Sequence, residues 1–480
     1  MMLRLTKLST LKRCSVFLLC LFLATLLAAC GDNTATTVPA ATTVPAATTA
    51  AAVATTAAPA TTVAPAATAA AATTAAAPAA ATTLAAATTT AASTGATTVA
   101  GAAPTLNTTG NTNGVTDTQI VIGSWGPQSG PAAAYGTIDR VIDAYFKKVN
   151  SEGGINGRQI KFVFQDDGYQ ASMTQTVVKK MVEQDKVFAF VAGLGTANNL
   201  AVMDYLVQNG VPHVAPATGT SFIANPLKRP IFALQTNYLV EATLVSRYAA
   251  DSLGAKKIAV FYQDDPFGKE GLDAIVGVAK AKGKEIVAQV SYQATDKDFS
   301  SHALKLQQSG ADTVIFWSVP GPTGAILQAI SDINYKPTIL LSAIANDPSL
   351  FKLSANTIDG AWTSSWLPDV TDPTNTDPKV VAFRDFIAKF APKETPGGFA
   401  ASGYAEAQIM VEGLKRAGKD LTRESFVKAL ETMDNWKEGL AFSVSFSPTN
   451  HQGQNSVYFM QASAKDNRFI KKSDFIEFKP

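Results

Sequence analysis

The sequence predicts an α/β protein whose globular part consists of two doubly wound lobes. From residue 117 onward, short runs rich in β-branched residues alternate with longer segments whose apolar residues recur at helical spacing. The short runs are apolar throughout, which is typical of strands buried on both faces of a parallel sheet. About 360 residues exceed one ordinary domain, and both halves open with a strand, a turn and a helix, the strands being Ile120–Trp125 and Ile258–Gln263.

Residues 1–29 have the layout of a secretory signal. Four cations precede an apolar run from Val16 to Leu27, which is short for a membrane-spanning helix of about 20 residues. The run ends in Leu27-Ala28-Ala29-Cys30, which resembles the lipobox of bacterial lipoproteins. The resemblance implies cleavage before Cys30, acylation of its sulfur and attachment to the membrane through a diacylglycerol. An ordinary secretory signal with an incidental cysteine is the alternative.

Residues 30–116 form a predicted disordered tether of Ala, Thr and Pro repeats. Asp32 is the only charged residue between Gly31 and Thr116, and no aromatic residue occurs between Phe22 and Trp125. So little apolar bulk cannot offset the conformational entropy of folding. We expect a flexible spacer that reaches roughly 50 Å; a filler without a role is the alternative.

Charge and cysteine content exclude several functions for the globular part. Four of the 40 Lys and Arg residues lie before residue 14 and one of the 38 acidic residues is Asp32, so residues 117–480 carry 36 basic and 37 acidic residues. This balance disfavours nucleic acid as a partner. Cys14, Cys20 and Cys30 are the only cysteines, so thiol catalysis and thiolate metal sites are excluded. We expect no cofactor and no metal.

The predicted elements of the globular part follow each other in strand and helix order. Strands are expected at Gln119–Ser124, Ile160–Gln165, Val187–Ala192, Val211–Ala215, Ile258–Tyr262, Ile286–Tyr292, Thr313–Ser318 and Thr338–Ser342. Amphipathic helices are expected at 132–149, 171–185, 239–253, 267–282, 322–333, 378–390 and 400–417. Ligands of doubly wound sheets bind beyond the carboxyl ends of the strands, so the strand ends are the first candidates for a site.

An ordered set of motifs over residues 117–480 resembles the branched-chain amino acid binding proteins, which are type I periplasmic binding proteins that feed ABC importers. The motifs occur in family order, and each alone is weak. They are Pro127-Gln128-Ser129-Gly130, Asn150-Ser151-Glu152-Gly153-Gly154-Ile155-Asn156-Gly157-Arg158, Gln165-Asp166-Asp167, Ala215-Pro216-Ala217-Thr218, Asp264-Asp265-Pro266-Phe267-Gly268, Thr295-Asp296-Lys297-Asp298-Phe299 and Gly403-Tyr404-Ala405-Glu406-Ala407.

The resemblance implies the type I periplasmic binding protein fold, with a ligand cleft between lobes joined by a three-crossing hinge. The chain crosses between lobes near 236–240, 364–368 and 440–447. The first lobe then comprises approximately 117–237 and 367–441, and the second 238–366 and 442–480. The family implies a monomer that closes over a small-molecule ligand and presents it to ABC permease subunits.

The candidate ligand-binding residues follow the strand ends. Gly195 and Thr196 open a helix after one strand, and Ala217, Thr218 and Gly219 end the next, where free N–H groups and hydroxyls can hold a carboxylate. The resemblance implies ligand contacts for Thr196, Ala217 and Thr218; a role as helix caps is the alternative. It also places Tyr135 and Phe267 on the cleft walls. Trp317 lies at a strand end facing the same region, and Trp125, Tyr238 and Trp366 are weaker candidates.

One position departs from the family pattern. Family members that select amino acids pair the ligand's ammonium with an acidic residue of the second lobe. The matching positions here, Ala343 or Ile344, are neutral, and an unpaired buried ammonium costs several kcal/mol. A carboxylate, an amide or an aromatic acid therefore fits as well as an amino acid, unless Asp347, Asp264 or Asp265 substitutes.

The sequence does not predict an enzyme. No G-x-x-x-x-G-K-[ST] loop occurs, and none of His213, His302 and His451 neighbours a G-x-S-x-G elbow. Adjacent carboxylates such as Asp166 and Asp167 point to opposite faces of a strand and so cannot flank one bond. The predicted function is the extracytoplasmic, lipid-anchored binding component of an ABC importer. A ligand-sensing lipoprotein that signals to a separate membrane partner is the alternative.

Overall fold

The computed structural model describes residues 111–478. The predicted leader, Cys30 and the tether up to residue 110 lie outside the described residues. The last residues of the predicted tether are bonded to the globular part. The Val121 N–H donates to the Gly114 carbonyl at 2.8 Å, and the Arg423 N–H donates to the Asn111 carbonyl at 3.1 Å. The folded part therefore includes at least six residues that composition had assigned to the tether.

The first lobe contains a parallel five-stranded sheet in the order β2-β1-β3-β4-β5. Its strands are β1 (Gln119–Trp125), β2 (Gln159–Gln165), β3 (Ala189–Val191), β4 (His213–Val214) and β5 (Ile231–Phe232). Strand β1 is buried on both faces from its second residue onward, as its unbroken apolar sequence predicts. The strand order reverses between β1 and β3, because β2 lies on one side of β1 and β3 on the other. A ligand cleft is therefore expected at the carboxyl ends of β1 and β3.

Six helices cover this sheet. They are α1 (Gly136–Ser151), α2 (Ala171–Glu183), α3 (Thr196–Gln208), α9 (Pro378–Phe390), α10 (Gly398–Ala417) and α11 (Arg423–Leu430). Helices α1 and α10 pack closely because Gly403 has no side chain: a Cβ there would lie 2.4 Å from the Ile138 carbonyl oxygen. The C-terminal half of the chain thus returns to complete the first lobe.

The second lobe contains a mixed sheet in the order β12-β11-β10-β9-β8-β6-β7, with β13 beside β11. Strands β6 (Lys257–Gln263), β7 (Glu285–Tyr292), β8 (Thr313–Trp317), β9 (Thr338–Leu341) and β10 (Trp362–Ser365) are mutually parallel where they pair. Strands β11 (Ser456–Ser463), β12 (Arg468–Lys471) and β13 (Ile476–Glu477) add antiparallel pairs. Its helices are α4 (Tyr238–Asp251), α5 (Pro266–Ala281), α6 (Ser300–Gln308), α7 (Pro320–Asp332) and α8 (Ser349–Leu353).

The chain passes between the two sheets three times, as the fold resemblance implies. The passages follow β5, β10 and α11. The third passage lies later than the expected 440–447, because the Leu440 N–H still donates to Gln408 of α10. It runs beside the first passage, where Ala233 bridges Gln452 and the Thr236 hydroxyl donates to the Ser456 carbonyl at 2.9 Å.

The parallel α/β part agrees with the sequence expectation, and the differences concern short or polar elements. The expected strand Val211–Ala215 is paired only at His213–Val214. The expected helix 132–149 begins at Gly136, after a single 3-10 turn at Ala133–Tyr135. The strands β5 and β10 to β13 and the helices α8 and α11 were not predicted, because they are short or mix polar and apolar residues without a long period.

Candidate ligand-binding site

A cavity lies between the two lobes, at the carboxyl ends of their parallel strands. The first lobe contributes Tyr135, Tyr169, Leu194, Gly195, Thr196 and Ala217, together with Ile138, Gly398, Phe399 and Ser402. The second lobe contributes Tyr238, Phe267, Val319, Ala343, Ile344 and Asn346. The first two passages between the lobes add Gln235, Ser365, Trp366 and Leu367.

The cavity is sized for a small molecule. Its interior offers about 70 Å³ to the centres of water-sized molecules. At about 10–15 Å³ for each water on this measure, the space holds roughly five to seven waters, or about 150–200 Å³ of liquid. A ligand of on the order of ten heavy atoms occupies such a volume. A longer peptide or a polymer does not fit inside it.

The start of helix α3 forms the most polar part of the first-lobe wall. Gly195 precedes the helix with φ 103°, a left-handed conformation that favours glycine. The Asn199 side chain holds this turn by donating to the carbonyls of Gly193 and Gly195 at 2.6 and 2.7 Å. No side chain caps α3, so its first-turn N–H groups remain available to an acceptor in the cavity.

The loop after β4 supports this helix start from behind. The Gly195 N–H donates to the Ala217 carbonyl at 3.3 Å, and the Ala217 N–H donates to the Gly193 carbonyl at 3.2 Å. The hydroxyls of Thr196 and Thr218 are 2.8 Å apart, and either can donate. Ala217 and Thr196 line the cavity, whereas Thr218 is buried behind Thr196. Thr218 therefore orients the Thr196 hydroxyl instead of forming the surface of the cavity.

Gly219 and Trp317 were expected at the ligand and also lie one layer behind the cavity surface. A Cβ at Gly219 would come within 2.6 Å of the Tyr238 ring, so the glycine lets this ring approach. The Trp317 side chain is fully buried and packs against Tyr238 and Phe267, with ring centroids 5.7 and 6.1 Å apart. Trp317 thus supports the aromatic wall, because Tyr238 and Phe267 stand between it and the cavity.

Of the remaining aromatic candidates, four line the cavity and one lies in the core of the first lobe. Tyr135 and Phe267 line the cavity, as do Tyr238 and Trp366. The Tyr135 ring packs on Phe399 with centroids 4.6 Å apart, and its hydroxyl donates to the Ile344 carbonyl of the opposite lobe at 2.9 Å. Trp125 instead lies in the first-lobe core against Phe190 and His213. Ala343 lines the second-lobe wall, as expected.

Direct contacts between the lobes close the cavity. Glu270 of α5 accepts from the Thr220 hydroxyl at 2.6 Å and from the Ser221 N–H at 2.8 Å. The Gln263 amide donates to the Tyr169 hydroxyl at 3.3 Å. A Cβ at Gly321 of α7 would lie 2.5 Å from the Pro131 carbonyl oxygen of the first lobe. The structure is therefore a closed form of the two lobes.

The acidic residues considered as substitutes on the second lobe are all engaged elsewhere. Asp347 accepts from the N–H groups of Ser349 and Phe399 at 2.9 and 3.1 Å, and burial raises its pKa. Asp264 pairs with Lys269 at 2.9 Å on the surface. Asp265 caps α5 through the Gly268 N–H at 3.0 Å. None of the three lines the cavity.

Glu241 is a further buried acid of the second lobe. It is 1% exposed and accepts from the Ala343 N–H at 2.6 Å and from the Ser364 hydroxyl at 3.0 Å. Burial raises its pKa. Its carboxyl group thus fixes the backbone of the second-lobe wall from behind, and the side chain that faces the cavity is the methyl group of Ala343.

Two buried carboxyl groups lie between α1 and α10, behind the first-lobe wall. Asp139 accepts from the Ser124 hydroxyl at 2.6 Å, and Glu406 accepts from the Ser402 hydroxyl at 2.7 Å. Burial raises the pKa of Asp139 to about 7 and that of Glu406 to about 8, and the nearby Asp139 carboxyl adds to the rise at Glu406. Glu406 is therefore mainly uncharged at neutral pH.

Sequence reasoning missed five polar residues that line the cavity: Tyr169, Gln235, Asn346, Ser365 and Ser402. Gln235 is the most informative, because its Nε2 is buried without a hydrogen-bond partner among residues 111–478. It lies in the first passage between the lobes, where no motif marks it. Its place immediately before the predicted crossing at 236–240 was the only available signal.

Within residues 111–478, no three His, Cys, Asp or Glu side chains are grouped to hold a metal ion. No helix of that region combines the length and the apolar character needed to cross a bilayer.

Comparisons with known proteins identify relatives over the same region. The family model described as "Periplasmic binding protein" matches residues 119–467. The chain is 26% identical over 314 residues to "Leu/Ile/Val-binding protein homolog 3" of Brucella melitensis, a match that covers 65% of this chain and 83% of the relative.

Solved structures share the fold at lower sequence identity. A fatty acid ABC transporter substrate-binding protein from Thermomonospora curvata is 22% identical, with a TM-score of 0.70 over 77% of this chain and 95% of that one. A branched-chain amino acid ABC transporter protein from Thermus thermophilus with bound valine is 22% identical, with a TM-score of 0.68 over 75% and 97%. Because these two names specify different ligands, similarity of fold does not decide what this cavity binds.

Proposed function

This chain belongs to the periplasmic binding protein family, and we propose that it is the extracytoplasmic solute-binding component of an ABC importer. The cavity between the two α/β lobes is the observation that carries the proposal. It is sized for one small molecule and has hydrogen-bond donors on one wall and apolar side chains on the other. The ligand class is a small polar solute, either an amino acid of the branched-chain type or a related amide or carboxylate.

Ligand binding stabilises the closed form by bringing both walls into contact with the solute. The first lobe offers the start of α3 and Thr196, and the second offers Phe267 and Val319. Because only the closed form provides both sets of contacts, the ligand shifts the hinge equilibrium toward closure. The closed protein then docks on the permease subunits, which receive the solute.

The proposal includes attachment to the outer side of the membrane through a lipid on Cys30. The segment between Cys30 and the folded part, in which Asp32 is the only charged residue, gives the two lobes reach toward the permease. Replacing Cys30 by Ala is expected to move the protein from the membrane fraction to the soluble extracytoplasmic fraction. If the variant stayed in the membrane fraction, the proposed lipid anchor would be wrong, while the solute-binding proposal would still stand.

Catalysis is not part of the proposal. His213, His302 and His451 do not line the cavity. His213 and His451 are buried, and their rings pair with the carbonyls of Ala192 and Ile231. Burial lowers the pKa of both to about 4. His213 and His451 therefore pack as neutral core residues.

A thermal-shift panel of amino acids, short amides and small carboxylates tests the solute-binding proposal. A ligand present at about 100 times its Kd adds roughly 2.7 kcal/mol to the free energy of unfolding, which raises the Tm by several degrees. A hit is then supplied to vesicles that hold the permease, and we expect uptake only when the binding protein is added. Saturable binding with no effect on uptake would favour a sensing role.

A further inference from the structure

We propose that the ligand of this cavity is a small carboxylate with an apolar body and no amino group. This inference rests on the proposed solute-binding function and narrows its ligand class. It follows from the charges around the cavity, from the hydrogen-bonding groups that face it and from its apolar lining.

The cavity offers nothing that compensates an ammonium group. None of the twenty described residues that line it is Asp, Glu, Lys or Arg. The buried acids nearby have other partners: Glu241 holds the Ala343 N–H, and Asp347 holds the Phe399 N–H. An ammonium ion enclosed without a counter-charge is strongly disfavoured, because the closed cavity removes its water.

Several donors at the cavity have no partner among the described residues. The N–H groups of Thr196, Ala197 and Asn198 belong to the first turn of α3 and have no acceptor among the described residues. The Nε2 of Gln235 is a buried donor that likewise lacks a partner within residues 111–478. Thr196 and Gln235 both line the cavity. Acceptor oxygens on the ligand would satisfy them together.

A carboxylate fits these donors better than an amide does. Its two oxygens only accept, and the positive end of the α3 dipole favours a negative charge. An amide would bring an NH₂ group, whose hydrogens would face the Gln235 NH₂ or the helix N–H groups. An alcohol is disfavoured less than an amide, because its hydroxyl oxygen can also accept a hydrogen bond from these N–H groups.

The rest of the cavity surrounds an apolar body. Ile138, Leu194, Phe267, Val319, Ile344 and Leu367 line it, and their side chains gain from contact with a hydrocarbon group. With room for on the order of ten heavy atoms, a branched or aromatic carboxylate of five to seven carbons, roughly, matches the space left beside the donors.

Three compounds with the same carbon skeleton test the inference by isothermal titration calorimetry on the purified protein at pH 7.4. They are 4-methylpentanoate, leucine and 4-methylpentanamide. We expect 4-methylpentanoate to bind at least about tenfold more tightly than either of the others, which corresponds to about 1.4 kcal/mol. Equal or tighter binding of leucine, or of the amide, would overturn the inference while solute binding stands.

Failure of the inference and failure of the proposed function are distinguishable. If none of the three compounds binds but another solute of the panel does, the carboxylate assignment is wrong and the solute-binding proposal holds. If the whole panel gives no binding, the proposed function fails as well.

Variants of Gln235 separate a ligand contact from a structural role. Gln235→Glu replaces the donor by an acceptor of the same shape and is expected to weaken 4-methylpentanoate binding by more than about tenfold. Gln235→Leu removes the donor without adding a charge and is expected to weaken binding by less than about tenfold.

Ala343→Asp adds the missing counter-charge for an ammonium group and is expected to shift the binding preference toward leucine. Unchanged affinity and preference in all three variants, with Tm values of the free protein near that of the parent, would overturn the assignment.

Discussion

Helices α3 and α5 both begin at the cavity, one from each lobe, yet their starts are built differently. Each begins where a parallel strand ends and contributes its first residues to the cavity. Helix α3 starts after Gly195 without a side-chain cap. Helix α5 starts with Pro266, which has no N–H, and Asp265 caps its Gly268 N–H. One helix start keeps its donors for a ligand, and the other satisfies them internally.

This difference assigns distinct tasks to the two lobes. The first lobe provides polar recognition through the start of α3 and Thr196, which Thr218 orients from behind. The second lobe provides apolar cover through Phe267 and Val319 and closing contacts through Glu270. Thus a helix start at the cavity provides binding groups in one lobe and apolar cover in the other, according to whether the helix is capped.

The largest expected effect on ligand binding comes from placing a negative charge at the uncapped helix. In Thr196→Asp, a carboxylate at the first residue of α3 competes for the free N–H groups and repels an anionic ligand. We expect the Kd to rise at least about 100-fold, whereas Thr196→Val, which removes only the hydroxyl, raises it about tenfold. Calorimetry measures both.

Asp265→Asn serves as the matched control at the capped helix and is expected to leave the Kd within about threefold, because an Asn side chain also caps helices. If Thr196→Asp binds ligand like the parent protein, the recognition role of α3 is wrong.

The buried carboxyls behind the first-lobe wall predict a pH dependence of stability. The folded pKa of Glu406 is about 8 and that of Asp139 about 7, above the usual 4.5 and 3.8, so the folded state binds more protons than the unfolded state between these values. The contribution of these two groups to the free energy of unfolding is therefore largest below about pH 4 and falls as the pH rises toward 8. We expect a loss on the order of 6 kcal/mol between pH 5 and pH 8, because a difference of one pKa unit between the folded and unfolded states corresponds to about 1.4 kcal/mol.

Urea unfolding at several pH values measures this slope. Glu406→Gln removes one of the two groups and is expected to flatten the decline, while Glu183→Gln on the surface of α2 serves as the control. A slope that is the same in the parent protein and in Glu406→Gln would show that Glu406 titrates normally.

A substitution at the contact between the lobes tests whether ligand binding requires their closure. In Gly321→Ala, the new Cβ would press on the Pro131 carbonyl oxygen of the first lobe, 2.5 Å away, only when the lobes are closed. We expect a Kd about tenfold higher with an unchanged Tm of the free protein. Gly277→Ala on exposed α5 is the control, because a Cβ there meets nothing within 4 Å. Equal Kd values for the two variants would argue that closure does not require this contact.

The smallest expected effect concerns the hydrogen bonds between Glu270 of the second lobe and the first lobe. Glu270→Gln weakens the bonds to Thr220 and Ser221, and a neutral acceptor in place of a charged one costs about 0.5–1 kcal/mol. We therefore expect a Kd about threefold higher, measured by calorimetry, with faster ligand release in stopped-flow fluorescence. Slower release would contradict a closing role for Glu270.

Much of this arrangement could be predicted from the sequence. The apolar runs and helical periods indicate the parallel strands and most helices, and the ordered motifs place Tyr135, Thr196, Ala217 and Phe267 at the cleft. The contrast between Gly195 and Asp265 is also visible in the sequence, since these residues precede the two helices.

The remaining features depend on where side chains point. Thr218 and Trp317 stand at strand ends like true wall residues, but Thr196 and Tyr238 lie between them and the cavity. Asp347 was considered a partner for an ammonium group, whereas its carboxyl holds the Phe399 N–H. Gln235 belongs to a passage between lobes that has no periodic pattern. Tertiary packing decides all of these, and spacing along the chain does not report it.

A crystal structure of the protein with the tightest ligand from the solute panel tests the central claim most directly. The account predicts closed lobes, with ligand oxygens within about 3.2 Å of the Thr196 N–H or hydroxyl and the apolar body against Phe267 and Val319. A ligand whose polar end contacts the second-lobe wall, or that lies outside the cavity, would contradict it.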